Sequence, residues 1–356
     1  MTSRTRIVGI DVARGLAVLG MFGAHIGVLT PFDWLEPATW TDVVSGRSSI
    51  LFATLAGVSI AIVSGRMTVV TGAELTRVRL RLVVRAFLVF VIGGLLIALG
   101  TNVAVILPVY AVLFVMALPF LRMSPPALFL MAVAVAVVVP LFLEAIAPAL
   151  GDPPNEVIAL LVDLFLNGSY PALLWIAFVL VGLGVGRLDL AARSVHVGLL
   201  GLGAALTVIG YGAGEFAASR SGPSSIATTE PHSGSPFEVI GSLGFALAVV
   251  GLCLLASRVI HRPLYPLAAV GSMALTVYTV HIVAIAVIGA SVPGEDDNVL
   301  WLVFVVVALV AASLWKFFIG KGPLEWLLTA ASRSAARPPR ADRLDPATPQ
   351  QRNQES

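Results

Sequence analysis

The chain has 356 residues, of which 58% are hydrophobic and only 12% are charged, and its formal net charge is +2. Soluble globular proteins have about 25% charged residues, so this composition excludes that class and indicates an integral membrane protein. No nucleic-acid partner is expected. The single cysteine, Cys253, excludes a disulfide framework and a cysteine metal site, and no metal is expected.

Apolar runs of about 20 residues, the length of a bilayer-spanning helix, recur along the chain. They lack the alternating pattern of a membrane β-barrel, so the sequence predicts an all-α polytopic bundle of about ten transmembrane helices. The predicted spans are 7–29, 47–65, 82–100, 103–121, 125–146, 169–187, 194–214, 237–257, 265–291 and 298–319. One transmembrane domain is predicted over residues 1–331, followed by a disordered cytoplasmic tail over the polar, proline-rich residues 332–356.

Charge alternates between successive connections. One set carries arginine and lysine, whereas the other carries mostly aspartate and glutamate, with Arg47 and Arg220 as exceptions. Cytoplasmic loops are enriched in arginine and lysine, so the first set is predicted to be cytoplasmic. Both termini then lie in the cytoplasm, and we expect a multi-pass protein in the bilayer of the cytoplasmic membrane.

The first predicted helix carries Asp11, Arg14 and His25 within an apolar stretch. At about 100° per residue, Arg14 lies about 60° from Asp11, and His25 returns to within about 40° of Asp11 after a rise of about 21 Å. Ionisable residues inside spanning helices face the bundle interior or a wet cavity and are functional candidates. This face of the helix is therefore predicted to place an acid–base pair near the cytoplasmic surface of the membrane and an imidazole near the outer surface. Neutralisation of the pair at a helix end, with His25 among the headgroups, is an equally good explanation.

Between the first two helices, Asp42 and Arg47 are predicted on the outer side. Arg47 is a cation where the charge rule disfavours one, which indicates an anionic partner. Farther along, residues 157–166 predict a short interfacial helix. The loop 217–236, which includes His232, is rich in Ser, Thr, Gly and Pro and predicts a flexible connection.

Two groups of residues later in the chain are candidates for a site. Tyr278 and His281 lie one turn apart in the outer half of the ninth predicted helix, where an imidazole can act as general base or proton relay; a histidine satisfied within the core is the alternative. Arginines at predicted cytoplasmic ends have the charge for a phosphate-bearing donor, and snorkelling of their long side chains is the alternative. They are Arg14, Arg77, Arg79, Arg81 and Arg85.

Short motifs at both ends of the chain resemble known families. The stretches Arg6-Ile-x-x-Ile-Asp11-Val-Ala-Arg14-Gly15 and Gly46-Arg47-Ser-Ser-x-Leu-Phe52 resemble the opening of bacterial proteins related to heparan-α-glucosaminide N-acetyltransferase. The stretches Pro266-Leu-Ala-Ala-Val-Gly271-Ser-Met-Ala-Leu-Thr276-x-Tyr278 and Gly322-Pro323-Leu-Glu325-Trp326 resemble the carboxy-terminal signature of the YeiB-type membrane family. The chain is thereby similar to transmembrane acyltransferases.

This resemblance implies a helical bundle that moves an acyl group, typically acetyl, from cytoplasmic acyl-coenzyme A to an acceptor outside, here a sugar or lipid-linked glycan. It also implies a catalytic histidine near the outer end of the first two helices. The loop 28–46 contains none, and His25 is the nearest substitute. The predicted catalytic residues are His25, His281 and Asp11; the acetyl-CoA site is assigned to Arg14, Arg77, Arg81 and Arg85, and the acceptor site to Arg47, Asp42 and Tyr278.

Two other functions fit the same residues. In one, Asp11, Arg14, His25 and His281 line a proton or solute path and no bond is made. In the other, the chain is a non-catalytic member of the fold. The sequence leaves the oligomeric state open, with a homodimer among the alternatives.

Overall fold

The computed structural model describes residues 6–30, 32–33, 35–146, 151, 153–221, 226–289 and 298–336. These residues form helices and contain no β-strand, in agreement with the predicted all-α class. The α-helices are α1 Val8–Ile26, α2 Arg47–Val63, α3 Gly72–Ile97, α4 Leu107–Met116, α5 Pro125–Ile146, α6 Glu156–Val162, α7 Ala172–Gly186, α8 Arg193–Ser221, α9 Pro236–Val259, α10 Tyr265–Ser272, α11 Ala274–Ile288, α12 Val299–Phe318 and α13 Pro323–Ala335. Two 3₁₀ segments, Pro37–Val44 and Leu118–Arg122, and one π turn, Asp163–Asn167, also occur.

Seven of the described helices are long and apolar enough to cross a membrane, and two bent pairs raise the number to nine if each pair is one span. These pairs are Glu156–Asn167 with α7, and α10 with α11. The predicted span 103–121 accounts for the difference from ten, because α4 has only 10 residues and a 3₁₀ turn follows it. Pro119 at the start of that turn has no N–H with which to continue α4, so the helix ends before it.

Several predicted helix boundaries differ from the structure, and α8, for example, ends at Ser221 rather than at residue 214. Helix α3 begins at Gly72 rather than at residue 82, so Arg77 and Arg81 lie on a helix and not in a loop. Helix α13 was not predicted, and it makes residues 332–335 helical. Residues 337–356 of the predicted tail lie outside the described residues, and the disordered tail remains a prediction. The acidic group 295–297 also lies outside them. The predicted orientation, with both termini in the cytoplasm, likewise remains a prediction.

The predicted ninth helix is broken into α10 and α11, which meet at 83°. The carboxylate of Glu325, in the first turn of α13, accepts hydrogen bonds from the N–H groups of Leu275 and Thr276 at 2.8 and 3.1 Å. It also accepts one from the Thr276 hydroxyl at 2.6 Å. A helix start leaves amide groups without internal partners and carries a partial positive charge, and this carboxylate satisfies both. Glu325 therefore holds the start of α11 at the bend.

Helix α1 is the centre of the bundle, and most of its residues are buried against α2, α9, α10 and α12. Its backbone touches that of α10 directly. A Cβ atom on Gly271 would lie 1.7 Å from the carbonyl oxygen of Asp11, and one on Gly15 would lie 2.2 Å from that of Leu267. Only glycine allows two helices to approach so closely. This contact fixes the position of Asp11, along the axis of α1, relative to the bend between α10 and α11.

We expect that replacing Gly271 by alanine destabilises the bundle by at least about 1–3 kcal/mol, the usual cost of overpacking, because backbone on both sides must move. Thermal unfolding of the purified protein in detergent measures the change. Gly198→Ala on α8, where an added Cβ meets nothing within 4 Å, is the matched control and should unfold like the unaltered protein. Equal midpoints for both variants would contradict the close contact of α1 and α10.

Candidate functional site

His25, in the last turn of α1, contacts His281 of α11. Its Nδ1 lies 2.8 Å from Nε2 of His281, which is hydrogen-bond distance. The two rings stack with their centroids 5.0 Å apart and their planes 10° from parallel. Both side chains are buried, with 9% and 2% of their surface exposed. The fold therefore brings together two candidates that are 256 residues apart in the chain.

The hydrogen bond between the two rings holds one proton when both are neutral. Nδ1 of His281 points along its own helix toward the carbonyls of Val277 and Tyr278 without a well-formed hydrogen bond. When His25 donates through Nδ1, its Nε2 keeps a lone pair and can take up a proton, while the Nδ1 proton passes to His281. When His281 donates instead, Nε2 of His25 carries the second proton and cannot accept another. The neutral pair therefore acts as a base in the first arrangement, and it acts as an acid only after it has taken up a proton.

His25 lines a polar cavity of about 280 Å³, here called the His25 cavity. Its walls come from α1, from the start of α2 and from the connections that precede α4, α7 and α9. Among the residues that the structure describes, no carboxylate, lysine or arginine lines it. Such a lining of hydroxyl, amide and imidazole groups suits an uncharged polar ligand. The polar side chains in the walls are His25, Ser45, Ser48, Ser49, Asn102, Ser169, Tyr170 and His232.

His232 is a site residue that sequence reasoning missed. Its ring lies edge-on to Tyr170, with centroids 5.2 Å apart, and parallel to Trp175 at 6.3 Å. The residue is exposed, and partial desolvation of its imidazole lowers the pKa of His232 below its ordinary value, which favours the neutral form. The predicted flexible loop thus carries a second imidazole into the cavity. Its composition contained no signal for this beyond the histidine itself.

The Asp11–Arg14 pair lies at the opposite end of α1, in a cavity of about 620 Å³, here called the Asp11 cavity. Asp11 accepts hydrogen bonds from Arg14, at 3.1 Å, and from Arg6. Arg14 also donates to the hydroxyl of Ser59 on α2 at 2.8 Å. The predicted pairing of Asp11 with Arg14 is therefore present, and Arg6 joins it as a partner that the sequence did not indicate.

The Asp11 cavity is rich in cations. Two more arginines, Arg66 and Arg85, line it, together with the carboxylate of Glu325 that is bonded to α11. The buried Nε of Arg66 has no hydrogen-bond partner among the described residues. A positively charged cavity with an unsatisfied guanidinium nitrogen fits a phosphate-bearing ligand.

The other predicted donor residues are divided. Arg81 lines a smaller neighbouring cavity of about 210 Å³, which shares Arg85 with the Asp11 cavity. Arg77, one turn before Arg81 on α3, lines neither of these cavities. Of the four arginines, the structure therefore brings Arg14, Arg81 and Arg85 to one end of the bundle, around two cavities that share Arg85.

Arg47 and Asp42 are not in the walls of the His25 cavity, although the intervening Gly46 is. Nε of Arg47 donates to the hydroxyl of Tyr211 on α8 at 2.8 Å, and its guanidinium carbon lies 4.8 Å from the centre of that ring. Nη1 of Arg47 donates to the backbone carbonyl of Asp42 at 3.3 Å. Arg47 therefore has several partners within the protein. An acceptor-binding role for Arg47 and Asp42 remains a prediction.

Aromatic rings separate the two cavities. On α2, Ser49 lines the His25 cavity and Phe52, one turn later, lines the Asp11 cavity. Between them the Phe52 ring stacks on Tyr110, with centroids 5.3 Å apart, and the Tyr110 hydroxyl donates to the Ser49 carbonyl at 2.9 Å. Tyr278 lies edge-on to His281 at 5.1 Å, and its hydroxyl accepts from the N–H of Ile106. This predicted acceptor residue therefore packs against the histidine pair.

Among the described residues, no three histidine, cysteine, aspartate or glutamate side chains are grouped as a metal ion would require.

His281 also borders an apolar groove of about 510 Å³ between α11 and α12, so the histidine pair lies between a polar cavity and a hydrocarbon-like surface.

Comparison with known families gives two matches. Residues 6–211, more than half of the chain, match the family model described as heparan-alpha-glucosaminide N-acetyltransferase, catalytic. Residues 191–334 match the model described as protein of unknown function (DUF418). Both agree with the resemblances carried by the motifs at the two ends of the chain. No curated protein matches the chain.

Proposed function

The chain belongs to the heparan-alpha-glucosaminide N-acetyltransferase catalytic family, and from this premise we propose that it transfers an acyl group, preferably acetyl, from coenzyme A to a hydroxyl or amine of a sugar or lipid-linked glycan across the membrane. Its apolar helices and this family make it a multi-pass membrane protein. The observation that carries the proposal is the placement of a cationic cavity and a histidine-lined cavity at opposite ends of α1.

The donor binds in the Asp11 cavity, on the cytoplasmic side. Arg14, Arg66 and Arg85 supply positive charge for its phosphates, and about 620 Å³ accommodates more than a phosphate group alone. Asp11 holds Arg14 in position through the hydrogen bond at 3.1 Å. Because Asp11 lies about 21 Å from His25 along the helix axis, its role is to position the donor site and not to take part in the bond changes.

The acceptor binds in the His25 cavity, on the outer side, where uncharged polar groups surround it. Nε2 of His25 takes the proton from the acceptor hydroxyl or amine while that oxygen or nitrogen attacks the thioester carbonyl. The carbon–sulfur bond breaks, the new ester or amide bond forms, and the proton returns to the departing thiolate of coenzyme A. His281 supports the proton uptake through the 2.8 Å hydrogen bond between the two rings.

The thioester end of the donor must pass the aromatic layer of Phe52 and Tyr110 to reach His25. The ring of Tyr110 is buried, and its hydroxyl donates a hydrogen bond to the Ser49 carbonyl, so this ring is held in place. The Phe52 ring is partly exposed, and a passage therefore opens more readily by rotation of Phe52. Replacement of Phe52 by alanine should therefore preserve acyl transfer, whereas replacement by tryptophan should obstruct it.

The test is transfer of radiolabel from acetyl-CoA by the purified protein, reconstituted in vesicles with a cell-envelope extract on one side. We expect label to appear in a glycan or lipid fraction only when acetyl-CoA has access to the Asp11 cavity. Absence of transfer from acetyl-CoA and from longer acyl-CoA, by protein that still unfolds cooperatively, would refute an acyltransferase.

A transport function is the second candidate, because polar cavities at both ends of one helix, with a closed layer between them, also describe a proton or solute path. Flux in proteoliposomes that requires a pH gradient but no acyl-CoA would favour it. A non-catalytic member of the family should give neither transfer nor flux. The same vesicles thus distinguish all three functions.

A further inference from the structure

The small cavity next to the Asp11 cavity lies between α3 and α13 and is here called the α3–α13 cavity. It measures about 210 Å³, and the described residues in its walls include four basic side chains and no acidic one. Two hydroxyl groups from α13 complete its polar lining. The polar residues are Arg81, Arg85, Lys321, Thr329, Ser332 and Arg333.

Four cations around so small a space repel one another unless an anion neutralises them. Part of their hydrogen-bonding capacity is also unused. The buried Nε of Arg81 has no partner among the described residues. Arg85 donates from Nε to the buried Ser332 hydroxyl at 3.4 Å, which leaves the two terminal nitrogens of its fork for another acceptor.

A phosphate group satisfies these requirements. It carries up to two negative charges and several strong acceptor oxygens, and arginine forks with neighbouring hydroxyls are its usual ligands in proteins. A carboxylate would neutralise fewer of the four charges. The position of the cavity at the basic end of the bundle, beside the Asp11 cavity and joined to it at Arg85, also favours an anion that arrives from that side.

We propose that the α3–α13 cavity is a separate phosphate-binding site, which α13 completes through Ser332 and Arg333. Two sources supply this chemistry: the 3′-phosphate of coenzyme A, whose remaining parts would occupy the Asp11 cavity, or the phosphate of an anionic lipid headgroup. The first source rests on the proposed function, whereas the second is independent of it.

Binding to the protein in nanodiscs tests the site and separates the two sources. Coenzyme A and dephospho-coenzyme A differ only in the 3′-phosphate. If that phosphate occupies the cavity, coenzyme A binds at least about tenfold tighter, the usual worth of a charged hydrogen bond, and Arg333→Gln abolishes the difference. The Arg333 side chain is exposed, so this variant should fold normally.

If a lipid headgroup is the ligand, the two coenzymes bind equally, and added phosphatidylglycerol raises the unfolding temperature of the unaltered protein but not of Arg333→Gln or Arg81→Gln. Arg262→Gln, which removes an exposed arginine that lines neither cavity from the connection between α9 and α10, is the control and should behave like the unaltered protein in both assays. Equal binding of the two coenzymes together with no specific effect of the lipid overturns the proposal. Neither measurement requires acyl transfer, so failure of the transferase assay leaves both results interpretable.

Discussion

Replacement of His25 by alanine should lower the rate of acyl transfer by about 10²–10⁴-fold, the usual contribution of a general base. His25 is the member of the histidine pair that lines the polar cavity, and the described walls of that cavity contain no carboxylate or lysine that could replace it. Loss of the ring also leaves His281 without its partner at 2.8 Å. Initial rates with labelled acetyl-CoA and saturating acceptor measure the effect.

The dissociation constant of coenzyme A provides the internal control for this variant, because the Asp11 cavity lies at the other end of α1 and should bind the donor as before. His261→Ala, which removes an exposed histidine from the connection between α9 and α10, should leave the rate unchanged. A His25→Ala protein that retains full activity would move the base elsewhere, with His232 as the next candidate in the cavity.

Replacement of Glu325 by alanine should produce the largest loss of stability, about 2–4 kcal/mol, because hydrogen bonds to a charged carboxylate are worth more than neutral ones. Three donors from Leu275 and Thr276 lose their acceptor, and the start of α11 loses the charge that stabilises it. The thermal midpoint in detergent should fall, and transfer should fall with it, since α11 carries His281.

Two further variants make this result specific. Glu325→Gln keeps the acceptor oxygen but not the charge and should lie between the alanine variant and the unaltered protein. Glu74→Ala removes an exposed acid from the first turn of α3, and its effect should stay within a few tenths of a kcal/mol. If Glu325→Ala and Glu74→Ala unfold at the same temperature, the carboxylate does not hold the bend.

The sequence was sufficient to predict the arrangement along α1. A continuous helix carries its 3.6-residue period without interruption, so Asp11 and Arg14 could be placed on one face with His25 before any tertiary contact was known. His281 was a candidate because an ionisable residue is conspicuous in an apolar helix. Its direct bond to His25 depends on how α10 and α11 bend, which local periodicity does not encode.

Other parts of the site depend on contacts that no local pattern records. Glu325 has the sequence environment of an ordinary first-turn acid of α13, yet it bonds to α11 about 50 residues earlier. His232 lies in a polar segment whose composition is typical of a free loop. Arg47 shows the opposite case: the charge rule identified it as unusual, but its contacts with the ring and hydroxyl of Tyr211 could not be predicted from the local sequence.

The contact of Gly15 with α10 and of Gly271 with α1 also limits how this protein can be recombined. The matched segments 6–211 and 191–334 overlap and could be treated as exchangeable modules. Yet α1 belongs to the first and α10 to the second, and their backbones meet without any side chain between them. A chimera that joins these segments from different relatives keeps this junction only if both glycines are retained. The two family segments therefore form one structural unit in this protein.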